Sequence, residues 1–488
     1  MLRRRLWQPW PAPAVLPFGG ERVEAGGLRG FPKESAGAGR GWRVRRDTTL
    51  PLRTRGHYIG RGPAGPSTKK GDWEMIKKFF ALALCLLLVA ACLAGCGDSA
   101  QKDGGDASNA STASGGQSGA SAAIKIGGTG PLTGGAAIYG NAAKNGAQIA
   151  VDEINALGGL QLELRYEDDV HDPEKAVTAY NTLKDWGMQA FLGSVTSKPA
   201  VATSTEANND HIFFLTPSAS STDVLGGVEN PLTETVEIPR KDNIFQMCFV
   251  DPNQGSASAQ YIYDQKLGTK VAAIYKNDDV YSTGIYNSFA AKAQELGIEV
   301  VSTTTFTDDT STDFSVQIAD AKDNGADLVF LPMYYEAASM ILIQADSVGY
   351  KPQWFGVDGM DGILTLDGFD TSLAVGVIVL YPFNADSEDE ATSKFVSTYK
   401  ERFGDVPNQF AADAYDCVWS IYNALKDQEV PEGVSASDLC DMLIAKFTSA
   451  DFSYDGLTGE GMTWDASGAV SKSPKGMVIQ DGAYDGLD

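Results

Sequence analysis

The chain has 488 residues, with 39 Lys+Arg against 63 Asp+Glu and a formal net charge of −24. The charge is unevenly spread: 15 of the basic residues precede Met75, and beyond residue 95 the balance is 22 basic against 57 acidic, a net of −35. A surface of that sign repels nucleic acid and anionic lipid headgroups, which argues against both as partners of the main body.

Residues 1–74 scatter Arg3, Arg4, Arg5, Arg43, Arg45 and Arg46 among Pro and Gly, with no apolar period of either kind. The segment reads as an untranslated upstream region or as disordered chain, with a basic nucleic-acid-binding arm as the competing reading. Residues 75–95 then place Lys77 and Lys78 before a short apolar run that ends Leu93-Ala94-Gly95 in front of Cys96. A charged start, a run too short to span a bilayer and small residues before a cysteine are the pattern of a lipoprotein signal peptide. The expectation is a chain that starts at Met75, is cut before Cys96 and carries a lipid on that cysteine. It would work anchored at the extracellular face of the cell membrane, or in the periplasm. Residues 96–122 are Gly, Ser, Ala, Asp and other small or polar residues, without a bulky apolar side chain, and read as a flexible tether.

Of the six cysteines, only Cys248, Cys417 and Cys440 lie beyond the signal, too few and too far apart for a disulfide framework or a zinc site. An odd number leaves at least one free thiol, and the apolar neighbours of Cys417 suggest a buried, inert one.

From about Ala123 short apolar strands alternate with helical patterns. Ile124-Lys125-Ile126 precedes a Gly-rich turn and a helix predicted over 143–157, with Gly146, Ala147, Ala150, Val151 and Ile154 on one face and Gly158-Gly159 closing it. Strands follow at 162–166, 190–193 and 212–215, with a helix at 173–186 and another after residue 193. The alternation restarts with strands at 271–275, 299–301 and 327–331 and a helix at 285–296. This βαβ rhythm predicts an α/β fold with two parallel-sheet lobes.

In open parallel sheets, ligands sit beyond the carboxyl ends of the strands. There the chain places Tyr139, Ser194, Ser218, Ala219, Ser220, Tyr281, Tyr334 and Asp358. The segments 193–197 and 216–220 each bring hydroxyls and free amides to a strand-to-helix turn, where a helix start holds an anion such as a carboxylate. Either turn alone also reads as a plain N-cap. Asp358, between glycines after an apolar strand, has no local neutralising partner, so a ligand ammonium would complete it; an exposed capping aspartate is the competing reading. Tyr139, Tyr281, Tyr334 and Phe410 could supply aromatic walls or could be ordinary core.

An enzyme with Ser194 as nucleophile lacks a base. The histidines are His57 in the leader, His171 and His211, and no Gly-x-Ser-x-Gly elbow surrounds the serine. So few histidines also argue against a metal, and Gly128-Thr129-Gly130 is not continued into a dinucleotide or Walker motif. No enzyme activity, metal or cofactor is expected.

The segments GPLTGGAAIYGNAAKNGAQIAVDEINALGG (130–159), YEDDVHDPEKAV (166–177), FLGSVTSKPA (191–200), FFLTPSASSTDVL (213–225), YSTG (281–284) and FGVDGMDG (355–362) carry, in their order and spacing, a likeness. The chain from about Ile124 resembles the leucine/isoleucine/valine-binding protein family, substrate-binding components of branched-chain amino-acid ABC transporters. The resemblance implies the type I periplasmic binding protein fold: two Rossmann-like lobes joined by a three-segment hinge, with crossings near Met247, Tyr381 and Asp455. Lobe 1 would hold residues 123–247 and 382–455, lobe 2 residues 248–381 and 456–488. The family's carboxylate-binding hydroxyls match Ser194 and Ser220, with backbone from Ala219 and with Ser218 in the same turn. Its aromatic contacts match Tyr139, Tyr281, Tyr334 and Phe410, and its ammonium-binding acid matches Asp358. Members best known for aliphatic ligands have glutamate and threonine at Asp358 and Ser220, and some have a disulfide at the places of His171 and Gly193. The implied function is capture of an amino acid, a branched-chain one first, by a monomer that delivers it to an ABC permease. The alternative is a sensing module of the same fold for an amide, an aromatic acid or another small molecule.

Overall fold

The computed structural model describes residues 123–230 and 235–487. The expected upstream region, signal peptide, lipidation site Cys96 and tether lie outside them. Among the described residues, no helix is long and apolar enough to cross a membrane.

The first sheet is built from β1 (Ile124–Gly130), β2 (Leu162–Asp168), β3 (Ala190–Leu192) and β4 (Phe213–Thr216), joined by α1 (Ala137–Ala156), α2 (Pro173–Trp186) and α3 (Ser197–Asp210). A one-turn helix α4 (Thr222–Leu225) and a small antiparallel ribbon of β5 (Glu229–Asn230) and β6 (Thr235–Val236) precede the last strand, β7 (Ile244–Gln246). The order β2-β1-β3-β4-β7 is parallel throughout, and both faces are apolar because helices cover them.

The second sheet follows α5 (Asp251–Gln265): β8 (Lys270–Lys276), α6 (Val280–Leu296), β9 (Glu299–Phe306), α7 (Ser315–Asp323), β10 (Leu328–Leu331), α8 (Tyr335–Ser347), β11 (Gln353–Gly356) and β12 (Ile378–Tyr381). The chain then returns to the first lobe as α9 (Glu390–Phe403), α10 (Gln409–Leu425) and α11 (Ala436–Phe447), and closes with β13 (Lys475–Gln480) and β14 (Ala483–Gly486). The order β14-β13-β12-β11-β10-β8-β9 is parallel except at β12–β13 and β13–β14. Two parallel-sheet α/β lobes are therefore present, as the strand rhythm predicted.

Two helices begin earlier than their apolar pattern suggested. α1 starts at Ala137, six residues before the predicted 143, and takes in Gly140, where a Cβ would lie 2.0 Å from the Pro131 carbonyl oxygen. α6 starts at Val280 behind an Asp279 cap. Both shifts put a site tyrosine, Tyr139 or Tyr281, on the first turn of a helix rather than in a loop. Strand β9 is longer than 299–301 because Thr303, Thr304 and Thr305, β-branched and polar, continue it at the sheet edge.

α10 lies along α1, and the two approach closely at Gly146, where a Cβ would meet the Ala411 carbonyl oxygen at 1.9 Å. The segment 456–472 hydrogen-bonds to residues of β7 and α10. Trp464 Nε1 donates to the Gln246 carbonyl at 2.9 Å, and Thr458 Oγ1 donates to Asp416 at 2.6 Å. Lys472, fully buried, donates to Asp413 at 2.8 Å and to Thr458 Oγ1 at 2.6 Å. Cys248, Cys417 and Cys440 are all buried free thiols.

Candidate functional site

The carboxyl ends of both sheets face one cleft, and the lobes touch across it. The Tyr139 hydroxyl donates to the Gly359 carbonyl and accepts from the Tyr335 amide at 3.3 Å, while the Tyr335 hydroxyl donates to the Gly135 carbonyl. Gln409, opening α10, donates through Nε2 to the Asp358 carbonyl at 2.9 Å and through its backbone to Asp361 Oδ2 at 3.0 Å. These bonds join the first turns of α1 and α10 to the loop after β11.

On the second lobe Asp358 opens a 3₁₀ turn, Asp358–Met360, directly after β11 and is 4% exposed. Its Oδ1 accepts the Tyr281 hydroxyl at 2.6 Å, and that same hydroxyl accepts the Gly359 amide at 2.9 Å. A Cβ at position 359 would lie 2.5 Å from this hydroxyl, so the glycine after Asp358 makes room for the pair. Burial pushes the Asp358 carboxyl up to about 7, against the Tyr281 and Gly359 donors, with nearby Asp413 adding to the rise. Tyr334, at the N-cap of α8, stacks on Tyr281 with ring centroids 4.6 Å apart and planes 12° from parallel. Tyr139 closes the group, 5.6 Å from Tyr334 and 4.4 Å from Phe410. The five side chains Tyr139, Tyr281, Tyr334, Asp358 and Phe410, spread over 272 positions of the sequence, are thus brought together.

The three serines on the first lobe differ from one another. Ser194 Oγ lies 2.7 Å from Thr129 Oγ1 and 3.2 Å from Thr203 Oγ1, inside the lobe. Ser218 donates to the Val195 carbonyl at 2.7 Å, and the Ala219 carbonyl accepts Gln246 Nε2 at 2.6 Å. Ser220, fully buried, sits beside Asp251, whose ionised form its hydroxyl favours.

Three further side chains belong to this site. Asp251, the first residue of α5, is buried, and neither carboxylate oxygen has a hydrogen-bond partner; burial and the charges of Asp358 and Asp279 raise it well above the carboxylate range, opposed by Ser220. Gln254, one turn on, is buried beside Asp358, whose rise it opposes. His171 bridges the walls: Nδ1 is 2.8 Å from Thr196 Oγ1, and the ring meets Tyr334 edge-on at 5.5 Å. Asp251 escaped attention in the sequence because Asp-Pro at a helix start already has a local explanation. Among the described residues no ion pair involves Asp251, Asp279 or Asp358; the lysine that lines the cleft, Lys276, is paired with Asp308.

A profile of the family described as periplasmic binding protein matches residues 123–480. The chain belongs to that family. A Leu/Ile/Val-binding protein of Citrobacter freundii is 28% identical over 351 residues, which are 71% of this chain and 87% of that protein. Among solved structures, the branched-chain amino acid transporter substrate binding protein LivJ of Streptococcus pneumoniae, in complex with isoleucine, superposes with a TM-score of 0.63 at 27% identity, covering 75% of this chain and 99% of that one. A benzoate-bound solute binding protein of R. palustris gives a TM-score of 0.64 at 18% identity, over 75% and 95% of the two chains, a likeness of fold. The two-lobed architecture is that of the type I periplasmic binding proteins. Membership carries a binding rather than a catalytic role at the family level, and a place of work in the periplasm or outside the cell.

Proposed function

We propose that this periplasmic binding protein captures an α-amino acid between its lobes and presents the closed form to the permease of an ABC transporter. The observation that carries the reading is Asp358, a buried carboxylate oriented by Tyr281 and Gly359 at the cleft with no protein cation to pair it. An ammonium group is the guest that such a group lacks. The Ser220 hydroxyl and the turn around Ser194, Ser218 and Ala219 offer donors to the carboxylate, and Tyr139, Tyr334 and Phe410 cover the ligand. Ligand contacts to both lobes exist only when they are together, so binding shifts the population toward the closed state that a permease would read. A micromolar complex requires about 8 kcal/mol, within reach of a desolvated zwitterion with both charges paired.

The branched-chain set, after which the relatives are named, is the reference set for a first measurement. A lipid at Cys96 would hold the protein, as a monomer, near its transporter. The second reading, a sensor of an amide or aromatic acid, leaves Asp358 without a cation and is the weaker one on that ground. The deciding experiment is a thermal-shift screen of the full-length protein against the twenty amino acids, simple amides and aromatic acids, followed by calorimetry. Asp358→Ala is expected to lower affinity for any amino-acid ligand at least a hundredfold; unchanged affinity would remove Asp358 from the site.

A further inference from the structure

Beside Tyr139 and Tyr334 lies a cavity of about 440 Å³, whose wall also includes His171 and Lys276. Part of its wall is apolar, from Phe306, Met333 and Met340, and suits methylene groups. The same cavity is lined by Asp279, which is 2% exposed. Asp279 Oδ1 caps α6 by accepting the Tyr281 amide at 2.8 Å and the Ser282 amide at 3.4 Å, and Oδ2 is buried with no hydrogen-bond partner.

A helix cap explains only the first oxygen, since one acceptor satisfies the open amides and serine or asparagine would serve equally well. The second oxygen is a buried acceptor on a residue that lines the cavity, and it is costly there unless something donates to it. The neighbouring basic groups do not. Lys276 is held by Asp308 at 2.5 Å. His171 is engaged with Thr196, and burial, its largest influence, lowers its pKa below the usual 6.5, opposed by the charges of Asp279 and Asp308 and aided by Lys276 and Lys198. An aliphatic ligand side chain would fill the methionine-lined part and leave Asp279 unpaired. A long cationic side chain satisfies both, laying its methylenes on Phe306, Met333 and Met340 and setting its charged head beside Asp279. The ring of Tyr334, which also lines the cavity, favours the same charge.

We propose that this cavity is the side-chain compartment of the amino-acid site and selects an α-amino acid whose side chain ends in an ammonium or guanidinium group, with Asp279 as the selecting residue. The inference rests on the reading that Asp358 holds the ligand's α-ammonium.

Calorimetry of the full-length protein with lysine, ornithine and arginine, against leucine, isoleucine and valine, tests it. The cationic set is expected to bind at least tenfold tighter. Asp279→Asn, which keeps a side-chain cap for α6, is expected to lower cationic affinity at least tenfold more than aliphatic affinity. Tighter binding of the aliphatic set, or an equal loss for both sets in Asp279→Asn, overturns the proposal and leaves Asp279 a structural cap. The wild-type ratio decides alone if the variant does not fold. If aliphatic ligands win and Asp358→Ala abolishes their binding, only this inference falls. If no α-amino acid binds, or Asp358→Ala binds as well as wild type, the underlying reading falls with it.

Discussion

The Tyr281 hydroxyl sits between Asp358 Oδ1, to which it donates at 2.6 Å, and the Gly359 amide, from which it accepts at 2.9 Å. One hydroxyl therefore both aims the carboxylate and fixes the turn that carries it. Tyr281→Phe removes both bonds and leaves the stacking on Tyr334 in place. Its expected effect is a loss of ligand affinity of about tenfold, the size of one hydrogen bond to a charged group. Calorimetry would show it as a smaller loss than in Asp358→Ala, with a thermal midpoint close to wild type; an effect as large as that of the alanine variant would mean that Asp358 has no other orienting contact.

Protonation of Asp358 gives a second prediction. Burial raises this carboxyl from 3.8 to about 7, so the folded protein binds a proton that the unfolded chain has already released across that window. The group's contribution to stability is fully present below 3.8 and is lost as pH rises through about 7. A bound ammonium favours the ionised form and pulls the pKa down again. Ligand binding between pH 6 and 7 should thus release a proton, and affinity should fall as pH drops below 7. Titrations in buffers of different ionisation enthalpy measure the proton count; a count of zero that is the same in wild type and Asp358→Asn would contradict the assignment.

The positions that could be read from sequence are those whose local pattern was unusual. Asp358 stood out because glycines flanked it after an apolar strand, and Tyr334 because a parallel sheet places it at a strand's carboxyl end. Asp251 and Asp279 did not stand out, since each opens a helix and has an ordinary reason to be acidic. Only the packing of α5, α6 and the loop after β11 shows that both oxygens of Asp251 and the second oxygen of Asp279 are buried. Likewise no local signal links Lys472 to Asp413, 59 residues away, or places the segment 456–472 against β7 and α10.

Lys472 is the cation between Asp413 and Asp416, all three buried. Asp413, raised by burial to about 6, is lowered by this lysine, as is Asp416. Lys472→Met leaves two carboxylates uncompensated and is expected to destabilise the protein by about 3–5 kcal/mol. Denaturant unfolding measures the loss, and the double variant Lys472→Met/Asp413→Asn should recover part of it. No recovery would place the damage in packing instead of charge.

A last prediction joins stability to binding through helix packing. Gly146 lets α1 approach α10 so closely that a Cβ would stand 1.9 Å from the Ala411 carbonyl oxygen. Backbone cannot swing aside as a side chain can, so Gly146→Ala must push the helices apart, at a cost of about 1–3 kcal/mol. Phe410, adjacent to Ala411, packs on Tyr139 at 4.4 Å, and Gln409 before it holds Asp358 and Asp361. Separation of α1 from α10 should therefore lower ligand affinity as well as the unfolding midpoint, although residue 146 has no place in the cleft. Calorimetry and thermal unfolding on the same preparation check the coupling: a lowered midpoint with wild-type affinity would show that the first turn of α10 is held in place from the second lobe, through Gln409, independently of its packing on α1.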